Sequence, residues 1–317
     1  MILHTIDFGP VWGASGVQGF FGEGYWYHRL PFGPRFDGMT LVAKTATLDP
    51  RAGNMPLDPQ TLQPKERFPK CMKVYPRAGM ALNAIGLSNP GIEELLARDC
   101  WQRLTQPFFL SVAPVGKTPE QRLCEIGDFC GLVRQEVFAA PFGLQLNVSC
   151  PNTGHDFRRL IGEARAMVTV ASDRLSDRGV PIVPKFNVLV PPAAVAEIAD
   201  MASVSAVAVS NTVPWGELPD RINWEQLFGT TVSPLVEYGG GGLSGAPLFP
   251  LLLEWMEKAR HCGFPKPINA GGGILSTSNV RALKQTGAAG ISVGSVAFLR
   301  PWRVRSIIAQ AHRLWRR

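Results

Sequence analysis

The residues best suited to chemistry lie in Leu146-Asn147-Val148-Ser149-Cys150-Pro151-Asn152-Thr153. The stretch begins as the end of an apolar run, Phe142-Gly143-Leu144-Gln145-Leu146, and breaks at Cys150-Pro151. Proline cannot donate to a sheet ladder, and it drives the residue before it to extended geometry. The sequence therefore predicts a buried strand that stops abruptly and presents a thiol and two carboxamides at its carboxyl end. Asn147 and Asn152 each carry an acceptor oxygen and two donor hydrogens, which match a flat ligand edged with alternating N–H and C=O groups. Cys150 between them could act as base, nucleophile or metal ligand. On this stretch alone the plainer alternative stays open: a polar strand cap in which Cys150 is a small buried residue.

Two lysines sit inside apolar runs, Val42-Ala43-Lys44 and Val183-Pro184-Lys185-Phe186. A lysine there is rarely fully buried without a partner. The bland account is a snorkelling side chain; two such lysines at one face favour an anionic ligand. The turn Gly271-Gly272-Gly273-Ile274 is followed by Ser276-Thr277-Ser278-Asn279 at a helix start, and Gly294-Ser295 opens another element. Backbone N–H groups at such turns and helix N-termini form a phosphate cradle. No Walker motif is present, which excludes the usual triphosphate hydrolases.

These residues must be positioned by a scaffold, and the scaffold is legible as a recurrence. Short apolar strands are expected at residues 6–12, 39–45, 108–113, 143–149, 181–187, 206–210, 267–270 and 290–294. Helical patterns lie between most of them, at 90–101, 119–139, 161–178, 193–201, 249–262 and 279–285. Near-continuous apolar strands alternating with helices imply a parallel sheet covered on its other face. Eight such units point to a single (β/α)₈ TIM barrel spanning residues 1–317, of α/β class. An open doubly wound sheet is the alternative, weakened because no Gly-x-Gly-x-x-Gly follows the first strand. Two long connections, 48–89 and 212–247, follow strands and so fall on the C-terminal face, where long loops are usually lids or binding segments.

Of the 317 residues, 45% are hydrophobic and 18% charged, which is globular rather than disordered. The formal charge is +7, and Arg300, Arg303, Arg305, Arg313, Arg316 and Arg317 place much of it in the tail. That tail reads as a docked last helix with a solvated basic face, or, as a minor option, a contact for acidic membranes. No run of about 18 apolar residues exists, so no transmembrane segment is expected. The N-terminus does not have the pattern of a signal peptide. Six scattered cysteines without a Cys-x-x-Cys pair suit reduced thiols in a cytoplasmic enzyme, and five unclustered histidines suggest no metal site. The aromatic stretch Phe20-Phe21, Tyr25-Trp26-Tyr27, Phe32 and Phe36 could pack over the barrel, form an interface or serve as an acceptor port.

In family order, and across almost the whole chain, the motifs resemble those of the dihydroorotate dehydrogenases. They are Ala14-Ser15-Gly16, Lys44-Thr45-Ala46-Thr47, Asn83-Ala84-Ile85-Gly86-Leu87, the Asn147–Thr153 block, Lys185, Ser210-Asn211-Thr212, Gly242-Leu243-Ser244-Gly245, Gly272-Gly273-Ile274 and Gly294-Ser295. The Asn-x-Ser-Cys-Pro-Asn and Asn-x-x-Gly-Leu blocks are the specific ones. The resemblance implies an FMN-dependent oxidoreductase of pyrimidine biosynthesis that oxidises dihydroorotate to orotate. It implies FMN contacts from Ala14, Ser15, Gly16, Lys44, Thr45, Lys185, Gly245, Gly272, Gly273, Gly294 and Ser295. Orotate would be held by Lys44, Asn83, Gly86, Leu87, Asn147, Asn152, Asn211 and Thr212, with Cys150 as base and Lys185 stabilising charge on the flavin.

Cys150 stands where membrane-bound members carry serine, and only a few residues precede the first strand, so the chain resembles the soluble type. The segment Gly154-His155-Asp156-Phe157-Arg158-Arg159 and Asn269-Ala270-Gly271 depart from the family pattern. The second electron acceptor is therefore open: fumarate, NAD through a partner subunit, or a quinone. A homodimer is possible by resemblance. Two alternatives are carried: a related FMN barrel acting on another dihydropyrimidine or cyclic substrate, and a non-catalytic barrel binding nucleotides or nucleic acid through its basic tail.

Overall fold

The computed structural model describes residues 1–148, 157–209 and 211–316. Thirteen strands occur among them: β1 Ile2–Leu3, β2 Ile6–Asp7, β3 Val11–Gly13, β4 Met72–Tyr75, β5 Met80–Asn83, β6 Phe108–Val112, β7 Phe142–Asn147, β8 Ile182–Phe186, β9 Val207–Val209, β10 Val213–Pro214, β11 Gly242–Gly245, β12 Ile268–Gly271 and β13 Gly290–Val293. The helices are α1 Ile92–Ala97, α2 Pro119–Gln135, α3 Phe157–Leu175, α4 Pro192–Ala199, α5 Trp224–Phe228, α6 Leu248–His261, α7 Thr277–Gln285, α8 Val296–Leu299 and α9 Val304–Leu314.

Seven strands form one parallel sheet in the order β3-β13-β12-β9-β8-β7-β6. Residues 40–46 join its two edges through parallel bridges, Thr40 to Trp12 on one side and Val42 to Phe109 and Ala46 to Val112 on the other. The sheet thereby closes into the expected barrel. Alternation decides what lies inside. Trp12, Phe109, Val183 and Ala208 face the interior, joined by Val42, Ala206 and, from below, Leu3 and Phe8. The hairpin of β1 and β2 plugs the bottom. The intervening residues, such as Leu110, Leu144, Ile182, Val207, Ala270 and Ile291, pack outward in the large cluster shared with the helices.

The helix starts follow local chemistry. Thr118 caps α2 by accepting from the Gln121 N–H, and Gln121 answers as a capping box, with Pro119 at the first turn. In α9, Val304, Ile307, Ile308 and Ala311 are buried, and the Trp315 indole N–H donates to the Ala288 carbonyl at 3.0 Å. The tail is a docked helix.

Two expectations are corrected. The first strand, read as 6–12, is two elements, because Gly9 takes a φ of 66° and Pro10 interrupts the ladder. The second, read as 39–45, is no regular strand. Its Lys44 N–H bonds the Gly19 carbonyl instead of a neighbouring strand, so the loop after β3 intrudes and leaves only bridges. The long connections are also more ordered than a loop reading implies. They build a four-stranded antiparallel sheet, β10-β11-β5-β4, with its own core of Met80, Leu82, Val213, Trp224 and Leu243. The short helix α5 belongs to this cap.

Inside the barrel, a Cβ on Gly143 would overlap the Phe109 ring. That ring is held by Phe8 at 4.2 Å and Trp12 at 4.4 Å between centroids and has nowhere to go. Gly143→Ala should therefore destabilise the fold by about 1–3 kcal/mol, the usual cost of overpacking. Urea unfolding checks this; an unchanged midpoint would show that the plug is loose.

Candidate active site

A cavity of about 1530 Å³ opens on the carboxyl side of the barrel. Its floor is made where strands end: Ala14, Ser15 and Gly16 after β3, Lys185 in β8, Asn211 and Thr212 after β9, Gly271–Gly273 after β12, and Ser292, Gly294 and Ser295 at β13. Asn83 and Ser244 reach it from the cap sheet.

The glycines leave room where side chains would fill it. A Cβ on Gly273, whose φ is 73°, would stand 2.5 Å from the Gly245 carbonyl oxygen. One on Gly294 would meet the Ala14 Cβ at 2.8 Å. The turns after β12, β13 and β3 are thus packed backbone to backbone and show main chain to the cavity. The expected contribution of the helix start at 276–279 is not made. Ser276 is occupied as the cap of α7, accepting from the Asn279 N–H at 3.3 Å, and the segment does not line the cavity.

Lys185 is interior to the barrel, and burial pushes its pKa down to about 8. Lys44 is buried too, with a pKa pushed down to about 8 by the same cause and partly restored by the Glu23 carboxylate. The Lys44 ammonium donates to the Ser88 carbonyl and lies 4.9 Å over the Phe20 ring. It stands directly behind Gly16, where a Cβ would come 3.2 Å from its Cγ. Thr45 is also one layer back. Its hydroxyl meets Ser15 Oγ at 2.7 Å and Ser111 Oγ at 2.9 Å, and Ser15 donates to the Ala43 carbonyl at 2.8 Å. This hydroxyl chain ties the loop after β3 to β6.

Asn211 Nδ2 donates to Asn147 Oδ1 at 3.1 Å, so Asn147 adjoins the cavity through Asn211. Its other side belongs to a smaller cavity of about 160 Å³, lined also by Leu87, Arg122 and Glu163. There Arg122 and Glu163 form a bidentate ion pair, with both side chains 6% exposed, that ties α3 to α2. Gly86 lines neither cavity; its carbonyl accepts from Arg51 Nε at 2.9 Å. Cys150, Asn152 and Ser210 lie outside the described residues.

The sequence reading missed three features. Ser292 lines the floor and donates to Asn269 Oδ1 within the barrel; its spacing of two from Gly294 was the available signal. Tyr25 Oη donates to the Gly16 carbonyl at 2.7 Å and holds the loop after β3. Burial raises the pKa of Tyr25 and lowers that of His28 to about 4, so both stay neutral. The third is the cap sheet itself.

Residues 8–314 match the sequence profile of the family described as Dihydroorotate dehydrogenase. The chain belongs to this family. It is accordingly an oxidoreductase acting on CH–CH bonds. A relative from Streptococcus pneumoniae, named dihydroorotate dehydrogenase B (NAD(+)), catalytic subunit, is 29% identical over 303 residues, covering 94% of this chain and 86% of that protein. A protein of the same name from Listeria monocytogenes is 27% identical over 310 residues, covering 95% and 88%. A DHODH from Eimeria tenella, solved with ferulenol, superimposes with a TM-score of 0.68 at 18% identity over 98% of this chain and 83% of that one, a likeness of fold.

The two lysines carry a pH signature. A lysine whose folded pKa lies below its unfolded value of about 10.4 destabilises the fold while charged. Between about pH 8 and 10 the unfolded chain still binds protons that the folded chain has released, so stability should rise with pH. Lys185→Met removes one of the two titrations and should flatten the rise. Thermal melts of the flavin-free protein between about pH 7.5 and 9.5 test this, below the range where buried tyrosines act oppositely. An identical slope in the variant would refute burial of Lys185 as a cause.

Proposed function

We propose that this chain oxidises dihydroorotate to orotate with a non-covalently bound FMN. The observation that carries the reading is the convergence, on one cavity floor, of a buried lysine, three carboxamide or hydroxyl side chains (Asn83, Asn211, Thr212) and the side-chain-free turns at Gly272–Gly273 and Gly294–Ser295. The turns fit a phosphate, since their glycine geometry leaves main chain facing the cavity. Ala14, Ser15 and Gly16 would border the ring system, with Thr45 and Gly245 supporting from behind. Bound there, FMN supplies the hydride acceptor.

The protein's own residues do the rest. Lys185 offers a positive charge inside the barrel where negative charge develops, and its ammonium costs little reorganisation because the strands fix it. Lys44, held by Ser88 and Phe20 behind Gly16, adds positive charge for a carboxylate. Asn83, Asn147, Asn152 and Asn211, with Thr212, suit the donors and acceptors of a cyclic ureide. Gly86 and Leu87 shape the loop that follows Asn83. Cys150, at the end of β7 between two of these asparagines, takes the proton that leaves the substrate as hydride departs. The relatives' NAD(+)-linked catalytic-subunit name supports a second component downstream of this step, and a homodimer is compatible with it.

The purified protein should be yellow, and heat or acid should release the flavin intact. Dihydroorotate added without oxygen should bleach it. Lys185→Ala should slow bleaching about 10²–10³-fold. Cys150→Ala should keep orotate affinity yet lose about 10²–10⁴-fold in rate. The wild-type rate should climb as pH passes the ordinary thiol pKa of about 8.5. Stopped-flow absorbance measures all of these. A Cys150→Ala protein as fast as the wild type would place the base elsewhere, and a colourless protein that refuses FMN in titration would remove the reading.

A further inference from the structure

The cavity is larger than its floor requires. Its volume of about 1530 Å³ exceeds the roughly 300–1,000 Å³ of an ordinary ligand pocket. The outer part is built by residues 25–33 and 63–76 together with Trp302, and the function proposed above leaves that part unused.

Trp26 is the centre of this mouth. Its indole N–H donates to the Arg67 carbonyl at 3.0 Å, and the Arg67 guanidinium lies 4.0 Å from its ring centroid. Phe68 meets Trp26 edge-on, 5.4 Å away at 82°, and Tyr27 does so at 5.8 Å and 83°. Phe32 is 80% exposed, Phe68 74% and Trp302 61%, so aromatic faces stand bare at the opening. Between them run the cations Arg29, Lys65, Arg67, Lys70 and Lys73. None of these is in an ion pair among the described residues. Glu66 is the sole acid among the lining residues, and its carboxylate accepts from the Lys70 backbone N–H at 3.1 Å.

Bare π faces interleaved with unneutralised cations select a flat anion. Rings stack on indole and phenyl faces, while guanidinium and ammonium groups take the negative charge. The same void runs from this mouth to Lys185 and the glycine turns, so an occupant of the mouth adjoins whatever the floor holds. The aromatic and basic groups line the wall of a cavity, which suits a small molecule better than a protein surface.

We propose that the mouth is a binding site on this chain itself for the second substrate, a planar, conjugated, negatively charged two-electron acceptor. This rests on the flavin reading above. The acceptor gains two electrons and two protons; the flavin that supplies the electrons and one proton returns to its oxidised form, and water supplies the other proton.

The test uses the yellow holoenzyme with 1,4-naphthoquinone-2-sulfonate and uncharged 1,4-naphthoquinone as probes. Calorimetric titration of the oxidised enzyme should show the sulfonate binding about tenfold tighter, as a charge-assisted contact supplies. Added salt should shrink that advantage. Arg67→Glu combined with Lys70→Glu should abolish it and raise the sulfonate's KM as acceptor about tenfold, while anaerobic bleaching by dihydroorotate keeps its wild-type rate. Trp26→Leu should weaken both probes. Equal affinity for the two probes, or a double variant that binds the sulfonate like wild type, overturns the proposal. Failure of dihydroorotate to bleach the flavin would instead strike the functional reading, and the calorimetry would still decide whether the anion site exists.

Discussion

Three backbones meet without side chains between them, and the arrangement of the cavity follows from that contact. The Gly245 carbonyl lies where a Cβ of Gly273 would be, and a Cβ on Gly245 would overlap the Gly79 carbonyl. All three glycines have positive φ, a region that L side chains rarely adopt. The turn after β12, strand β11 and the turn between β4 and β5 are therefore stacked main chain on main chain. This contact seats the cap sheet on the barrel. It also sets the height at which Asn83 and Ser244 hang over the floor.

On that frame the electrostatics are one-sided. Lys44 and Lys185 are charged groups withdrawn from water, and the nearby carboxylate that acts on Lys44 is Glu23. Glu23 is itself committed to the Phe20 and Phe21 N–H groups at 3.0 and 2.7 Å. Desolvated cations with so little local compensation are poised to gain from an anion. The barrel tolerates them because its interior is polar above and apolar below. Ser111, Thr45, Ser292 and Asn269 exchange hydrogen bonds in the upper layers, whereas Trp12, Phe109 and Val183 fill the bottom.

Much of this was legible in the sequence because barrel strands are buried on both faces and read as apolar runs. Seven of the eight expected strands appear with small shifts at their ends. The exception, residues 39–45, was legible in composition but not in pairing, since a distant carbonyl at Gly19 takes a ladder donor. The cap sheet was hidden because its strands are short and its glycines read as loop. Among site residues, those at strand ends converge on the floor, as Lys185, Asn211 and Gly294 do. Gly86 and Leu87 do not, because the chain turns away after Asn83 with positive φ at both positions. Position along a strand could be inferred from the sequence; the direction of a loop, set by tertiary contacts, could not.

The bridged segment at 40–46 gives the barrel a seam. On the β3 side the closure consists of the Gly13 N–H to the Thr40 carbonyl and the Thr40 N–H to the Val11 carbonyl, both at 2.9 Å. Elsewhere the staves are joined by regular ladders. A hoop with one short clasp yields at the clasp, and this one lies beside Ser15, Gly16 and Lys44. The fold thus concentrates its compliance at the edge of the floor, where a ligand entering the barrel top needs the walls to give, and keeps the opposite staves, which carry Lys185 and Asn147, stiff.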